Sequence, residues 1–339
     1  MNKRAITTTY PRSWCAGAES SSPDRYQGAE RAMMSWLTGR GLISSQYSSV
    51  LERAEVARNC ANSYPSATGP HLNTISKFLG LWFAFDDPAE GVGTGGRETK
   101  AGPALVGELE RGALEGDPFL SAWWELGQDF KHTMSPQWRK RFSGHFEAWM
   151  YSVEDEADLS TRARKGQPPR LHEYFPVRSY SVGIDNWIDL IEYTQGRELP
   201  VDFFSDPHVR EIWQLARVLH ILDNDLHGIT KDMDDSWLNA VFSIAHERDL
   251  SWVDGAAEAA RLHEDLLGRF LHIEERARRR TGIGWWFDAL HHMLAGLAVW
   301  THSTPRYSSV HRLRGETLEV NVVFTAEPHS SPLPLPVAC

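Results

Sequence analysis

Phe78-Leu79-Gly80-Leu81-Trp82-Phe83-Ala84-Phe85-Asp86-Asp87-Pro88-Ala89-Glu90 decides how this chain is read. Its first eight residues are apolar on every side, so as a helix they are buried all round. The run then ends in the carboxylates Asp86, Asp87 and Glu90. Carboxylates at the edge of an apolar region are costly unless a basic side chain or a metal meets them. The stretch therefore points to a cation site beside an apolar pocket. Read alone it is more simply a solvated acidic helix end, so the rest of the chain must arbitrate. Pro88 would remove a helical hydrogen bond to Ala84, which predicts a helix break inside the acidic motif.

The chain has 339 residues, enough for one large domain or two ordinary ones with a sizeable core. A net charge of −10 disfavours a nucleic-acid binder but leaves room for an anionic substrate held by local Arg and Lys. Cys15, Cys60 and Cys339 are too few and too widely spaced for a disulfide framework or a metal knuckle. Neither a signal peptide nor a membrane-length apolar run is visible, which gives the expectation of a cytoplasmic protein. The 14 tryptophans stand out, because so many large π surfaces suggest the lining of a cavity.

Helical periodicity dominates between two Ser- or Pro-rich ends. Residues 1–28 read as a disordered leader, 29–310 as one all-α domain, and 311–339 as a loose Pro-rich tail. Twelve helices are expected, over 29–39, 47–61, 70–86, 104–114, 117–131, 135–157, 171–175, 178–195, 207–235, 236–248, 251–280 and 283–303. Gly91-Val-Gly93-Thr-Gly95-Gly96 satisfies a dinucleotide-binding spacing, but no strand precedes it, so a mobile loop is the better reading.

The longest stripe, Leu215, Leu219, Leu222, Leu226 and Met233, marks one face of the helix over 207–235. Steps of four residues turn about 400°, so Asn224, Gly228 and Asp232 share a face roughly opposite that stripe. Trp213 and Ile221 fall near the same side as Asn224, which suits a cavity better than water. An amide oxygen and a carboxylate are hard donors that suit Mg²⁺. Arg178, Lys231, Arg306 and Tyr307 add three cations and a phenol. Together with two acidic clusters they describe a diphosphate held between Mg²⁺ ions and guanidinium forks.

At this point the sequence resembles the bacterial class I terpene synthases over roughly residues 35–310. The resemblance rests on Asp86-Asp87-Pro-Ala-Glu90, on Arg178 with Ser181 and Val182, on Asn224-Asp225-Leu-His-Gly228-Ile-Thr-Lys231-Asp232, and on Arg306-Tyr307. It implies a single-domain helical bundle around an apolar active-site cavity. Metal ligands would be Asp86, Glu90, Asn224, Gly228 (through a water) and Asp232, holding three Mg²⁺ ions assembled with the substrate. Asp87 would pair with Arg306, while Arg178, Lys231, Arg306 and Tyr307 would grip the diphosphate. Phe83 and Trp300 would be aromatic cavity walls. Ser181 and Val182 would occupy the linker and effector positions, the Val182 carbonyl helping to trigger ionisation. Two departures stand out, since Gly228 replaces a hydroxyl ligand and Asp232 replaces the longer Glu.

The activity implied is Mg²⁺-dependent ionisation of a linear prenyl diphosphate, with cyclisation to a terpene hydrocarbon or alcohol. Farnesyl diphosphate is the first expectation and geranylgeranyl diphosphate the second; a homodimer is a family-level expectation. No dedicated general base stands out. The alternatives are a prenyl-chain-elongating transferase, which would carry two like aspartate-rich motifs, and a catalytically impaired binding protein of the same fold.

Overall fold

The computed structural model describes residues 3–15, 22–86, 98–109, 116–313 and 315–326. Asp87, Glu90 and the Gly91–Gly96 loop, together with Pro88 and Cys339, lie outside the described residues. In chain order the helices begin with α1 (Pro23–Gly39), α2 (Ser45–Ala54), α3 (Val56–Ser63), α4 (Gly69–Asp86) and α5 (Glu98–Leu105). They continue with α6 (Pro118–Thr133), α7 (Pro136–Arg164), α8 (Leu171–Ser181) and α9 (Ile184–Gln195). The last are α10 (Pro207–Asp234), α11 (Ala240–Arg248), α12 (Trp252–Thr281) and α13 (Trp285–Ser303).

The apolar run Phe78–Phe85 forms the C-terminal half of α4 and is buried except for the half-buried Phe83, and the exposed Asp86 ends the helix. Phe78 and Trp82 on α4 meet Phe142, Phe146 and Trp149 on α7 in an edge-to-face aromatic stack. Such pairs prefer tilted packing because ring faces and edges carry opposite partial charge. Behind this layer Arg141 binds Asp189 at 2.7 Å and Glu192, and His145 binds Asp189 at 2.7 Å, which pins α9 to α7.

α10 is enclosed by α8, α11, α12 and α13, and it carries ionisable groups inward. Two of its acids meet partners from other elements. Asp223 accepts a hydrogen bond from Tyr10 and lies 3.5 Å from His263. Asp225 accepts from the Tyr174 hydroxyl at 2.6 Å and from the Ala240 amide at 2.8 Å. Trp213 and Ile221 are core rather than cavity residues. Trp213 packs on Phe204 and Trp286 and donates to Asp185, and Ile221 joins the cluster shared with α11 and α12.

The expected loose ends are ordered where they are described. Lys3–Pro11 is a strand, β1, pairing in parallel with β3 (Glu316–Thr325), and β2 (Val310–Leu313) pairs antiparallel with β3. Alternation explains the miss. Ile6, Thr8 and Tyr10 point inward in a segment too short and too Thr-rich to register as a strand by hydrophobicity, and its partner is more than 300 residues away. Helix boundaries also moved. α8 runs through Pro176, which the expectation treated as a break, and the turn falls at Gly183 instead. Glu55, in the left-handed region at φ 51°, splits the helix expected over 47–61.

Strand β1 thus reaches α10 through the Tyr10 hydroxyl on Asp223, and β2 reaches it through His311 on Thr230. Tyr10→Phe leaves the Asp223 carboxylate without that donor. It should cost about 2 kcal/mol in denaturant unfolding, since hydrogen bonds to buried charges contribute about 1.5–3 kcal/mol. An unfolding midpoint equal to that of the parent protein would show that the strand does not brace the helix.

Candidate active site

One cavity of about 320 Å³ opens between α4, α7, α8, α10 and α13. Asp86, Phe83, Arg178, Ser181, Val182, Asn224, Lys231, Asp232, Trp300, Arg306 and Tyr307 all line it. Residues from four separate regions of the sequence are thereby gathered around one space. Gly228 does not line the cavity. A Cβ there would lie 2.8 Å from Asp232 Oδ2, so the space above Gly228 is filled by that carboxylate.

The polar side is organised around Asn224. Its Oδ1 accepts a hydrogen bond from Arg178 at 3.0 Å, and its Nδ2 donates to the Tyr307 hydroxyl at 3.0 Å. Arg178 also lies 3.6 Å from Asp225 and 3.7 Å from Glu156, and its Nε has no hydrogen-bond partner. Lys231 lies 3.7 Å from Asp232 and 3.6 Å from Asp235. Asp232 Oδ2 accepts from Asn239 at 2.8 Å, and the same Nδ2 reaches the Asp225 carbonyl at 2.7 Å. Asn239 in turn caps α11 through Oδ1, so its amide ties the metal-type motif to the next helix.

The carboxylates are strained electrostatically. Burial pushes Asp232 up to about 7, with Asp225 adding to the effect and Lys231 opposing it. Burial likewise raises Asp86 to about 6, with Glu156 adding and Arg306, Lys231 and Arg178 opposing. Asp86 presents surface, but that surface faces the cavity, which is why desolvation still governs it. Burial would lower Arg178, yet Tyr174, Glu156 and Asp225 outweigh it and hold the guanidinium firmly protonated. The cluster carries several acids around fixed cations, with Ser181 Oγ buried and unpaired beside them.

The other side is aromatic. Phe83 and Trp300 stack at 5.9 Å with an interplanar angle of 11°. Tyr307 meets Trp300 edge-on, and the Arg306 guanidinium sits 4.8 Å above Phe83. Trp300 is fixed by its indole N–H donating to the Ala54 carbonyl at 2.7 Å. Trp82, Trp187, Leu79 and Leu297 continue the wall. Gly183, at φ +72°, ends the α8–α9 turn directly against Trp82. A Cβ there would meet the indole at 2.4 Å, so only glycine lets the turn reach the cavity.

Several residues of the site escaped the sequence reading. Glu156 sat in the acidic run Glu154-Asp155-Glu156, which looks solvated, and only the α7 helical phase could have singled it out. Asn239 lay in an expected helix rather than at its cap. His220 lines the cavity one turn before Asn224, where that spacing could have flagged it.

The matches to known proteins agree with this architecture. Residues 77–269 match the family model described as terpene synthase family 2, C-terminal metal binding. Spiroviolene synthase from Streptomyces violens is 28% identical over 306 residues, covering 84% of this chain and 84% of that protein. A 7-epi-alpha-eudesmol synthase from Streptomyces viridochromogenes, described as (2E,6E)-farnesyl diphosphate cyclizing, is 25% identical over 75% of this chain and 79% of its own. Among solved structures, a protein from ancestral sequence reconstruction superposes with a TM-score of 0.73 at 25% identity, covering 92% of this chain and 90% of the other. The 2-methylisoborneol synthase of Streptomyces coelicolor A3(2), solved with Mg²⁺ and 2-fluoroneryl diphosphate, has the same fold at a TM-score of 0.73 and 21% identity, covering 85% and 94%. A bundle that gathers Asp86, Arg178, Asn224 and Arg306 on one aromatic cavity, in a chain whose metal-binding region matches that model, belongs to the class I terpene synthases, and the protein is a terpene cyclase.

Proposed function

We propose that the substrate is farnesyl diphosphate, ionised and cyclised to a fifteen-carbon hydrocarbon or alcohol. The observation that carries this reading is the union of oxygen donors, guanidinium groups and stacked aromatics on one cavity. Two relatives described as cyclizing farnesyl diphosphate support the choice of chain. So does the volume of about 320 Å³, which lies at the small end for ligand sites and favours fifteen carbons over twenty.

The donor set fits Mg²⁺. Asp86, Asn224 and Asp232 offer hard oxygens, and the raised carboxyls are those expected where like charges await a cation. These residues, with Glu90, would hold the ions; three is the number we propose. When bound, Mg²⁺ acts as a Lewis acid on the departing oxygens. The chain's own groups do the rest. Arg178, Lys231, Arg306 and Tyr307 bind the diphosphate and stabilise the charge that develops as the C–O bond breaks. Exchange of the Arg178 bond to Asn224 Oδ1 for a bond to phosphate frees the Asn224 oxygen at the same step, while Tyr307, which accepts from Asn224 Nδ2, keeps its own O–H to donate. Substrate gripping and ligand release are then one event.

The apolar wall excludes water, which would otherwise quench the cation early. Phe83, Trp300, Trp82 and Trp187 offer ring faces that attract cationic carbon, each contributing on the order of 0.5–2 kcal/mol. Ser181 and Val182, at the α8 terminus, stand where the chain can sense the substrate.

Incubation with C10, C15 and C20 prenyl diphosphates and Mg²⁺ should yield a volatile fifteen-carbon product from the C15 substrate with no second substrate. Asp86→Asn, Asn224→Ala and Arg178→Ala should each lower the rate of diphosphate release at least a hundredfold. Product formation only when isopentenyl diphosphate is added would favour chain elongation, and no release from any substrate would favour a binding protein.

The raised acids give a further test, read as stability rather than turnover. A carboxyl whose folded pKa lies above its unfolded value favours the protonated fold. Its contribution is complete below about pH 4 and is lost as pH rises through about 7 for Asp232. Asp232→Asn should therefore stabilise the metal-free protein at pH 8, by at most about 4 kcal/mol, and flatten the decline between pH 4 and 7. A variant less stable than the parent at pH 8 in chelator would contradict the electrostatic account.

A further inference from the structure

The described residues include four buried histidines: His220, His227, His263 and His311. Three are accounted for by partners. His227 bonds the Asp223 carbonyl at 2.9 Å and His302 at 3.3 Å, His263 bonds the Tyr10 hydroxyl at 3.1 Å, and His311 bonds Thr230 at 2.5 Å. His220 differs. It makes no hydrogen bond, ion pair or ring stack with any described residue, and it lines the active-site cavity.

Its place on α10 is equally specific. His220 precedes Asn224 by one helical turn, about 6 Å of rise, on the side away from Lys231 and Asp232 at the polar rim. The groups acting on it are Asp223, one turn along the same helix, and Arg178 from α8. Trp82, Trp187, Leu79 and Leu297 supply apolar wall to the same space. An uncharged imidazole open to such a space carries a basic lone pair, whereas the Asn59 amide and Ser181 hydroxyl that also line it are far weaker bases. Burial holds it neutral, with its pKa lowered to about 4.

We propose that His220 is the proton acceptor that ends the reaction, removing a hydrogen from the carbon next to the final cationic centre. This rests on the cyclase reading above. The balance is simple. The ring nitrogen lone pair takes the proton, the C–H electron pair becomes the second bond of the new alkene, and the cation is neutralised as imidazolium forms. Asp223, the nearest carboxylate on the helix, favours that imidazolium, and the proton leaves to the departing diphosphate or to water as the cavity opens. A weak base suffices, because a hydrogen beside a cationic carbon is far more acidic than imidazolium. The diphosphate is held at the polar rim by Arg178, Lys231 and Arg306, so His220 serves cations formed deeper in the cavity than the leaving group can reach.

The test measures products per diphosphate released, using the prenyl diphosphate that the wild-type enzyme turns over. His220→Gln and His220→Gly should lower the share of the main deprotonated product at least tenfold, in favour of alcohols and earlier-exit alkenes. Added imidazole should restore that share in His220→Gly, whereas pyrazole, of the same size and much weaker basicity, should not. A product profile unchanged by either substitution overturns the proposal, and so does equal rescue, or no rescue, by the two azoles. A covalent terpenyl adduct on His220, seen by mass spectrometry of the wild type after turnover, would show the ring facing cationic carbon and would also overturn it. Failure of the wild type to release diphosphate at all overturns the cyclase reading itself and the proposal with it, an outcome distinct from the others.

Discussion

Everything in this molecule is arranged around the cost of carrying charge on a buried helix. α10 places Asp223, Asn224, Asp225, Lys231 and Asp232 within about three turns. Unpaired, such groups would cost several kcal/mol each in a low-dielectric interior. The surrounding elements are therefore dictated by partner supply. The terminal strand brings Tyr10, α12 brings His263, α8 brings Tyr174 and Arg178, and the α11 cap brings Asn239. Asp223 and Asp225 are the supporting pair, each bonded through Oδ2 to protein groups. Around the helix Asp223 and Asp225 lie about 200° apart, Asn224 falls between them and Asp232 returns to the Asp225 side; Asn224 and Asp232 line the cavity. One helix thus interleaves acids paired to protein groups with donors that line the cavity.

The same economy governs the boundary between wet and dry. Arg306 belongs to both regimes, its charge directed at the acidic rim and its plane resting on Phe83, which itself stacks on Trp300. Guanidinium is weakly hydrated and stacks well, so it can close the polar rim over an aromatic wall where lysine could not. Tyr307 repeats the pattern with a hydroxyl on Asn224 and a ring edge on Trp300. Adjacent residues just after α13 therefore join the polar and aromatic sides of the cavity. Among the described residues, Arg178 Nε and Ser181 Oγ remain buried without hydrogen-bond partners along this cavity.

The bundle and the position of its cavity were legible in the sequence because their signals are local. Continuous apolar character marked α4, a leucine stripe marked α10, and acids at the end of one and within the other marked the rim. What was missed depends on pairing across distance. Strand β1 becomes recognisable only beside β3, and neither carries a pattern that announces the other. Trp213 illustrates a limit of helical phase. It falls on the Asn224 side of α10, yet three turns away the cavity has ended and Asp185, Phe204 and Trp286 enclose it. Pro176 was taken as a stop, but a proline within its first turns costs a helix little when the lost donor has no buried acceptor to serve. Glu156 and His220 were invisible for a different reason, since a lone polar residue acquires meaning only from what faces it.

The two departures from the family pattern, Gly228 and Asp232, look independent in the sequence and are one feature in space. A side chain at 228 would begin 2.8 Å from Asp232 Oδ2, so the shortened acid lies over the very position that lost its side chain. Asn239 holds it there at 2.8 Å. With a hydroxyl at 228 the carboxylate would be displaced from that bond; with a longer acid at 232 the extra methylene would carry it past Asn239. Each change thus makes room for the other. A set of donors that appears depleted by one ligand and shortened by another is better described as a repositioned carboxylate, anchored to α11 rather than to its own helix. Because Asn239 also bonds the Asp225 carbonyl, any movement of Asp232 toward a cation is transmitted to the backbone that aims Arg178's partner. The metal-type motif and Arg178 are in this way coupled through a single amide nitrogen.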